Sequence, residues 1–229
     1  MKRMLVLQMS IFGSFENIGN DPTTVSNLIS LYRNKFIPSV IQMAEIDPIN
    51  DSVKTINRLS MVSVDNKVTI AFLPNRIDCN YSFKDEATEP LGIEAKLHNM
   101  CELLRNGIVY FSTIGNRIAI NGRFVTDEIS LSCNDYIVSR AFYRGADINE
   151  WSTNCNTVKK LNILGTEEAT NNILNIGLGE NNQGKIGLIV SFDINTIPEN
   201  SFMRFNAEAL PAFLEQASLS LKEMLDGLR

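Results

Sequence analysis

The sequence predicts an α+β domain: a mainly antiparallel mixed sheet built from helix-plus-hairpin units, with a long amphipathic C-terminal helix packed across it. Three observations point there. Runs of alternating apolar and polar residues, such as "TINRLSMVSV" and "VTIAF", are joined by short turns rich in Asn, Asp and Gly. Residues 22–36 and 90–105 instead repeat their apolar side chains at helical spacing. From Asn206 onward, Leu210, Leu214, Ala217, Leu221, Leu225 and Leu228 keep to one helical face.

In chain order, residues 4–12 read as a strand. Lys2 and Arg3 before an apolar run imitate a secretory leader, but Gln8 and Ser10 break the run and no small-residue cleavage site follows. After a Gly/Asn-rich loop, Asp21 offers an N-cap and Pro22 suits the first helical turn; Val25, Leu28, Ile29, Tyr32 and Phe36 form the apolar stripe of that helix. Residues 55–81 read as a meander with breaks at "DNK" and "LPN". A second helix over 90–105 carries Ile93, Leu97, Met100, Cys101 and Leu104, with Gly107 near its C-terminus. "IVYFSTI", "GNR" and "IAINGRFVT" predict another hairpin, and Asn116, Arg117 and Ile118 echo Asn66, Lys67 and Val68, through either a duplicated unit or a shared hairpin grammar. Residues 127–170 mix short strand-like runs with a polar connection, "EWSTNCNTVKK". "NNILNIGL" and "KIGLIVSFDIN" predict two more strands before the final helix, which tolerates Pro211 in its first turn.

At 229 residues the chain can bury its own core as one domain, 1–229, with two quasi-repeated halves, 1–85 and 86–229, as the finer reading. A hydrophobic fraction of 44% against 21% charged is that of a chain ordered throughout. The net charge of −5 and pI near 5.0 disfavour a protein whose main task is coating nucleic acid. Cys79, Cys101, Cys133 and Cys155 are widely spaced, so they are expected as free, mostly buried thiols of a reducing compartment. No apolar stretch approaches the length of about eighteen residues that a membrane span needs. The expectation is a cytoplasmic protein with no membrane partner.

Catalytic equipment is sparse. Gly179, Gly184 and Lys185 stand at the spacing of a phosphate-binding loop, but such a loop feeds a helix and follows its Lys with Ser or Thr. Here Ile186 follows and "IGLIVSFD" reads as a strand, so the glycines mark a hairpin tip. His98 is the single histidine, and Cys101 three residues on reads as a core thiol beside it rather than as an activated pair. Asp78, Asp127, Glu128 and Asp193 lie near strand ends, where a Mg²⁺-dependent nuclease or phosphodiesterase places its carboxylates, yet no Glu-x-Lys element accompanies them. No metal, cofactor or catalytic residue is assigned, and an enzyme is the less favoured class.

Two binding sets remain. "SRAFYRGADINEW" supplies Arg140, Phe142, Tyr143, Arg144 and Trp151, the side-chain types concentrated at interface hot spots, as the partner-binding candidates. Lys67, Arg117 and Lys185 each stand at a predicted turn and form a basic edge for an anionic ligand if the tips gather at one end of the sheet.

The order of "RLSMVSVDNKVTIAFLPNRIDC", a helix, "GIVYFSTIGNRIAI" and the closing "LIVSFDIN…RFNAEALPAFLEQASLSLKEMLDGL" resembles a sporadically distributed, largely uncharacterised prokaryotic family. The resemblance implies a sheet covered by helices and genes often near mobile-element or phage-defence loci. It transfers no catalytic residue. Together these readings favour a non-enzymatic binding or assembly subunit of a bacterial or phage-associated multi-protein system, phage defence included, with protein partners and homo-oligomerisation as its associations. Recognition of nucleic acid or a nucleotide signal by the basic tips is the alternative, and a Mg²⁺-dependent nuclease the third.

Overall fold

Two-residue alternation governs most of the chain. The computed structural model describes residues 2–33, 35–47, 52–83, 92–126, 152–180 and 186–226. Its elements are β1 (Lys2–Phe12), α1 (Pro22–Leu31), β2 (Phe36–Asp47), β3 (Ser52–Ser63), β4 (Val68–Leu73), β5 (Arg76–Ser82), α2 (Ile93–Tyr110), β6 (Arg117–Thr126), β7 (Ser152–Ile163), β8 (Thr166–Glu180), β9 (Ile186–Thr196) and α3 (Ala209–Asp226). The strands make one nine-stranded sheet in the order β2-β3-β4-β5-β1-β6-β9-β8-β7. Every described pairing is antiparallel, so the expected mixed sheet is corrected to an antiparallel one. Sequential neighbours β2–β5 and β7–β9 are joined by short connections, which only antiparallel pairs permit. The order is nearly palindromic about the β1–β6 pair.

Register assigns every side chain to a face. Leu7, Met9 and Ile11 of β1, Ile77 and Cys79 of β5 and Ile118 and Ile120 of β6 point to one face and are almost inaccessible. All three described helices pack there. α2 lays Ile93, Leu97, Met100, Cys101, Leu104 and Ile108 on the sheet, and α3 adds Leu210, Phe213, Leu214, Ala217 and Leu221. α1 joins them through the Tyr32 hydroxyl, which donates to the Leu103 carbonyl of α2 at 3.2 Å.

Local chemistry explains both the agreements and the corrections. Asp21 caps α1, its carboxylate accepting from the Thr23 and Thr24 amides at 3.1 and 3.0 Å. The helix stops at Leu31, and Arg33 takes a left-handed φ of 54°, so Phe36 opens β2 instead of closing the helical stripe. α2 continues past Arg105 to Tyr110 because Ile108 extends its core-facing row. Residues 108–110 are therefore helix, and the predicted hairpin over 108–126 is reduced to the single strand β6. Gly107 is no terminator: a Cβ there would lie 3.2 Å from the Tyr32 hydroxyl, so it is a close-packing position. β7 replaces the predicted polar connection. Its turn into β8 has Leu164 and Gly165 at φ 51° and 82°, a two-residue hairpin geometry, closed by the Gly165 amide donating to the Asn162 side chain at 2.8 Å.

The β9–α3 connection is clasped to the sheet. Arg204 donates from Nε and Nη2 to the two carboxylate oxygens of Glu168 at 2.8 and 2.9 Å, and its Nη1 reaches the carbonyls of Asn116, Asn200 and Phe202. Gly115 and Phe205 exchange backbone hydrogen bonds at 2.8 Å beside it. Arg204→Ala leaves a mostly buried carboxylate without its partner and is expected to cost about 3 kcal/mol, read as a lower urea midpoint. A Cβ on Gly115 would sit 2.6 Å from the Phe12 carbonyl oxygen, which is backbone and cannot swing aside. Gly115→Ala should therefore destabilise by roughly 1–3 kcal/mol in the same assay; a midpoint equal to that of the parent would show that the β1–β6 end can relax.

Candidate functional site: the helix-free face of the sheet

Residues between the core-facing positions point to the other face, where no described helix packs. Opposed residues in adjacent strands share a face, so the register writes out rows that cross the sheet. One runs Thr69, Asn80, Gln8, Asn121, Asp193 and Ile173 across β4, β5, β1, β6, β9 and β8. The next runs Ser60, Ala71, Asp78, Ser10, Ala119, Asn195, Asn171 and Val158 from β3 to β7. At the end where β1 finishes, Arg76, Phe12 and Arg117 stand side by side.

The polar side chains bond across strands. Asn121 donates to Gln8 at 3.3 Å, Arg123 to Ser191 at 3.2 Å, Asn156 to Asn171 at 3.2 Å and Asn171 to Asn195 at 3.4 Å. Asp78 is buried and accepts from Ser10 at 2.7 Å and from the Arg76 Nε at 2.8 Å. Arg117 lies over the Phe12 ring, its Cζ 4.0 Å from the centroid, and Arg76 approaches the same ring at 6.0 Å. On this face the Arg58 Nε, the Arg117 Nε and the Asp193 Oδ1 are buried without a hydrogen-bond partner. Burial pushes the Asp193 carboxyl above its ordinary value, against the opposing Asn195 amide and Arg117 guanidinium.

The sequence-predicted sites fare differently. Arg140, Phe142, Tyr143, Arg144 and Trp151 lie outside the described residues, as do Asp127, Glu128 and Lys185. β4 and β9 run in the same direction as β1 and β6 runs against it. Lys67, before β4, is therefore at the opposite end of the sheet from Arg117. The paired ends Glu180 and Ile186, which flank the span carrying Lys185, also lie opposite Arg117. Lys67 and Arg117 therefore do not share an edge. Gly179 pairs with Gly187 in two antiparallel strands, a context in which no helix receives a phosphate. His98 is exposed and its Nδ1 sits 2.9 Å from the Glu94 carbonyl, whereas the Cys101 thiol is buried and pushed up to about 12, the reverse of an activated nucleophile. Cys155 is exposed on β7, against the expectation of a buried thiol.

Asp78 and Asp193 cannot share a metal ion. Strands β1 and β6 separate β5 from β9, which sets the two strands about 14 Å apart, and Asp193 lies two residues along β9 from the position level with Asp78. No metal-ligating cluster occurs among the described residues. No described helix is long and apolar enough to cross a membrane. The row of Arg76, Phe12 and Arg117 escapes sequence reading because its members are far apart along the chain and meet only through register. No family model matches the chain, and neither a curated protein nor a solved structure is similar to it.

The Asp193 environment has a thermodynamic consequence. A carboxyl whose folded value is raised holds its proton more tightly in the folded state than in the unfolded chain. Its stabilising contribution is complete below the ordinary value of 3.8 and is lost as pH rises through the raised folded value. Asp193→Asn, neutral throughout, should be more stable than the parent at about pH 7, with the gap closing toward about pH 4. Urea midpoints at the two pH values check this, and a variant less stable than the parent at neutral pH contradicts it.

Proposed function

We propose that the chain is a non-enzymatic binding and assembly subunit of a bacterial or phage-associated multi-protein system, phage defence included. It works in the cytoplasm and docks protein partners along a sheet edge. The observation that carries the reading is the condition of β7. From Ser152 to Val158 every residue of this edge strand is exposed, on both faces, and the described backbone pairing of that stretch is to β8 alone, whereas Leu161 and Ile163 further on are buried. An edge of this kind is a template for strand addition by an extended segment of another chain. Val158, 63% exposed, gives that edge an apolar anchor. The other edge, β2, is guarded: Pro38 withholds a backbone donor there, although Ile37 and Val40 are exposed.

Several features support a binding role over catalysis. Asp78 is committed to Arg76 and Ser10, Cys101 is held as a thiol, and Asp78 and Asp193 lie on strands separated by β1 and β6. The nearly palindromic strand order supports reading the halves as a repeated unit, each closed by a helix, with α3 as the amphipathic cover of the second. A homo-oligomer through β7 is the simplest assembly of this type.

Size-exclusion chromatography with light scattering, beside affinity capture from the native host, tests the reading. The parent should self-associate or retain a partner, and Val158→Asp should lose that association with its melting temperature unchanged. A parent that runs as a monomer and retains nothing, or a Val158→Asp variant that associates as the parent does, rejects docking at β7.

A further inference from the structure

The end of the helix-free face where β1 finishes holds arginines that docking at β7 does not use. Phe12 pairs with Arg76 on one side and Arg117 on the other, so the three side chains stand in a row over three adjacent strands. A guanidinium held on an aromatic face is already oriented and loses little more freedom on binding an anion. Arg76 gives only its Nε to Asp78, which leaves both terminal nitrogens outside that bond. The Arg117 guanidinium makes no hydrogen bond or ion pair among the described residues; the ring of Phe12 lies beneath it and Asp193 acts on it through charge alone. Arg58, two positions before Ser60 on the same face of β3, also keeps a buried Nε without a partner.

The nearby carboxylates offset this charge only in part. Asp78 is shared between Arg76 and Ser10 and Asp193 acts on Arg117, so these two carboxylates stand against the three cations Arg76, Arg117 and Arg123 of the same face. A chain of net charge −5 therefore presents cations on one face. At the other end of β6, Arg123 shares that face with Arg117, about 20 Å away at the rise of an antiparallel strand. Gln8, Asn80 and Asn121 fill the interval with amide donors and acceptors. Cations at both ends of an open polar track suit an extended polyanion better than a single small ion.

We propose that this face binds single-stranded nucleic acid, with Arg76 and Arg117 on a phosphate beside Phe12, Arg123 on a second phosphate, and Gln8, Asn80 and Asn121 facing the nucleotides between them. The contact is independent of β7, since Val158 and Arg117 lie on strands separated by β8 and β9.

The test is fluorescence anisotropy of the purified chain, without any partner, on a labelled oligodeoxythymidylate of about 16 nucleotides. The parent should bind, and binding should weaken steeply with added salt. Arg117→Ala should bind roughly tenfold more weakly and with a salt slope smaller by about one, while Lys222→Ala on α3 binds as the parent does. Val158→Asp should also bind as the parent does, so failure of docking at β7 and failure here are told apart. Arg117 supports no described hydrogen bond, and an unchanged melting temperature confirms that its variant is folded. Absence of binding at low salt overturns the proposal, as does equal binding by Arg117→Ala and the parent. Displacement of the strand by inorganic phosphate or a mononucleotide at matched phosphate concentration overturns it too, because the site would then be one for a single phosphate.

Discussion

The antiparallel pairing of β1 with β6 is the contact on which the rest of the structure depends. It joins two meanders that are otherwise separate in the chain, with Phe12 opposite Arg117 at one end and Lys2 opposite Thr126 at the other. Once it forms, β5 and β9 flank the centre, and the helices that follow them, α2 and α3, pack side by side over the seam. The pairing is held in one register by its core side: Leu7, Met9, Ile11, Ile118 and Ile120 are all fully buried. A slip of one residue would turn this apolar set to the open face and bring Gln8, Ser10 and Asn121 into the core. The irregularity between Met4 and Val6 adjusts the last turn of the pleat, so that Met4 meets Phe124 inside while Val6 lies opposite Arg123 outside.

The same register that secures the core writes the polar face. Because opposed residues share a side, each core row is matched on the far side by a row of Asn, Gln, Ser, Asp or Arg. Those side chains meet their neighbours across strands instead of along them. An amide is suited to this place because it donates and accepts at once, as Asn171 does between Asn156 and Asn195. Small side chains at Ser10, Ala71 and Ala119 lie low between these polar groups and are nearly inaccessible.

Local signals were legible in the sequence and long-range ones were not. The Asp21 cap and Pro22 start, the β4–β5 break and the antiparallel pair β8–β9 follow from chemistry within a few residues, and the structure has them. The helix-to-strand boundary after Gly107 was misread because "IVYFSTI" is as β-branched and aromatic as any strand here. What overrides that propensity is Ile108, which the core takes as the next step of the α2 row. β7 escapes for the converse reason: "STNCNTV" has no apolar alternation, since residues 152–158 are exposed on both faces and their described backbone pairing is to β8, while only Leu161 and Ile163 at its far end enter the core. Arg117 was named for its place beside a turn, but its neighbours Phe12 and Arg76 follow from strand order, which no pattern within a single strand encodes.

That distinction matters most for charge. The one stretch with the spacing of a phosphate loop, Gly179 to Lys185, is flanked by the antiparallel strands β8 and β9 and is followed by a strand where such a loop needs a helix, so its resemblance to an anion site is a matter of spelling. The arrangement with the physical properties of such a site has no motif at all. It needs one aromatic ring from β1 and one arginine from each neighbouring strand, brought level by two independent registers. Phe12 then separates two guanidiniums that would otherwise repel at close range, and lends each a negative ring face in exchange. Arg76 further has Asp78 in a direct ion pair to offset its charge, while Arg117 has the ring and the charge of Asp193 without an ion pair among the described residues. Within this row Arg117 is therefore the residue with the most to gain from an incoming anion.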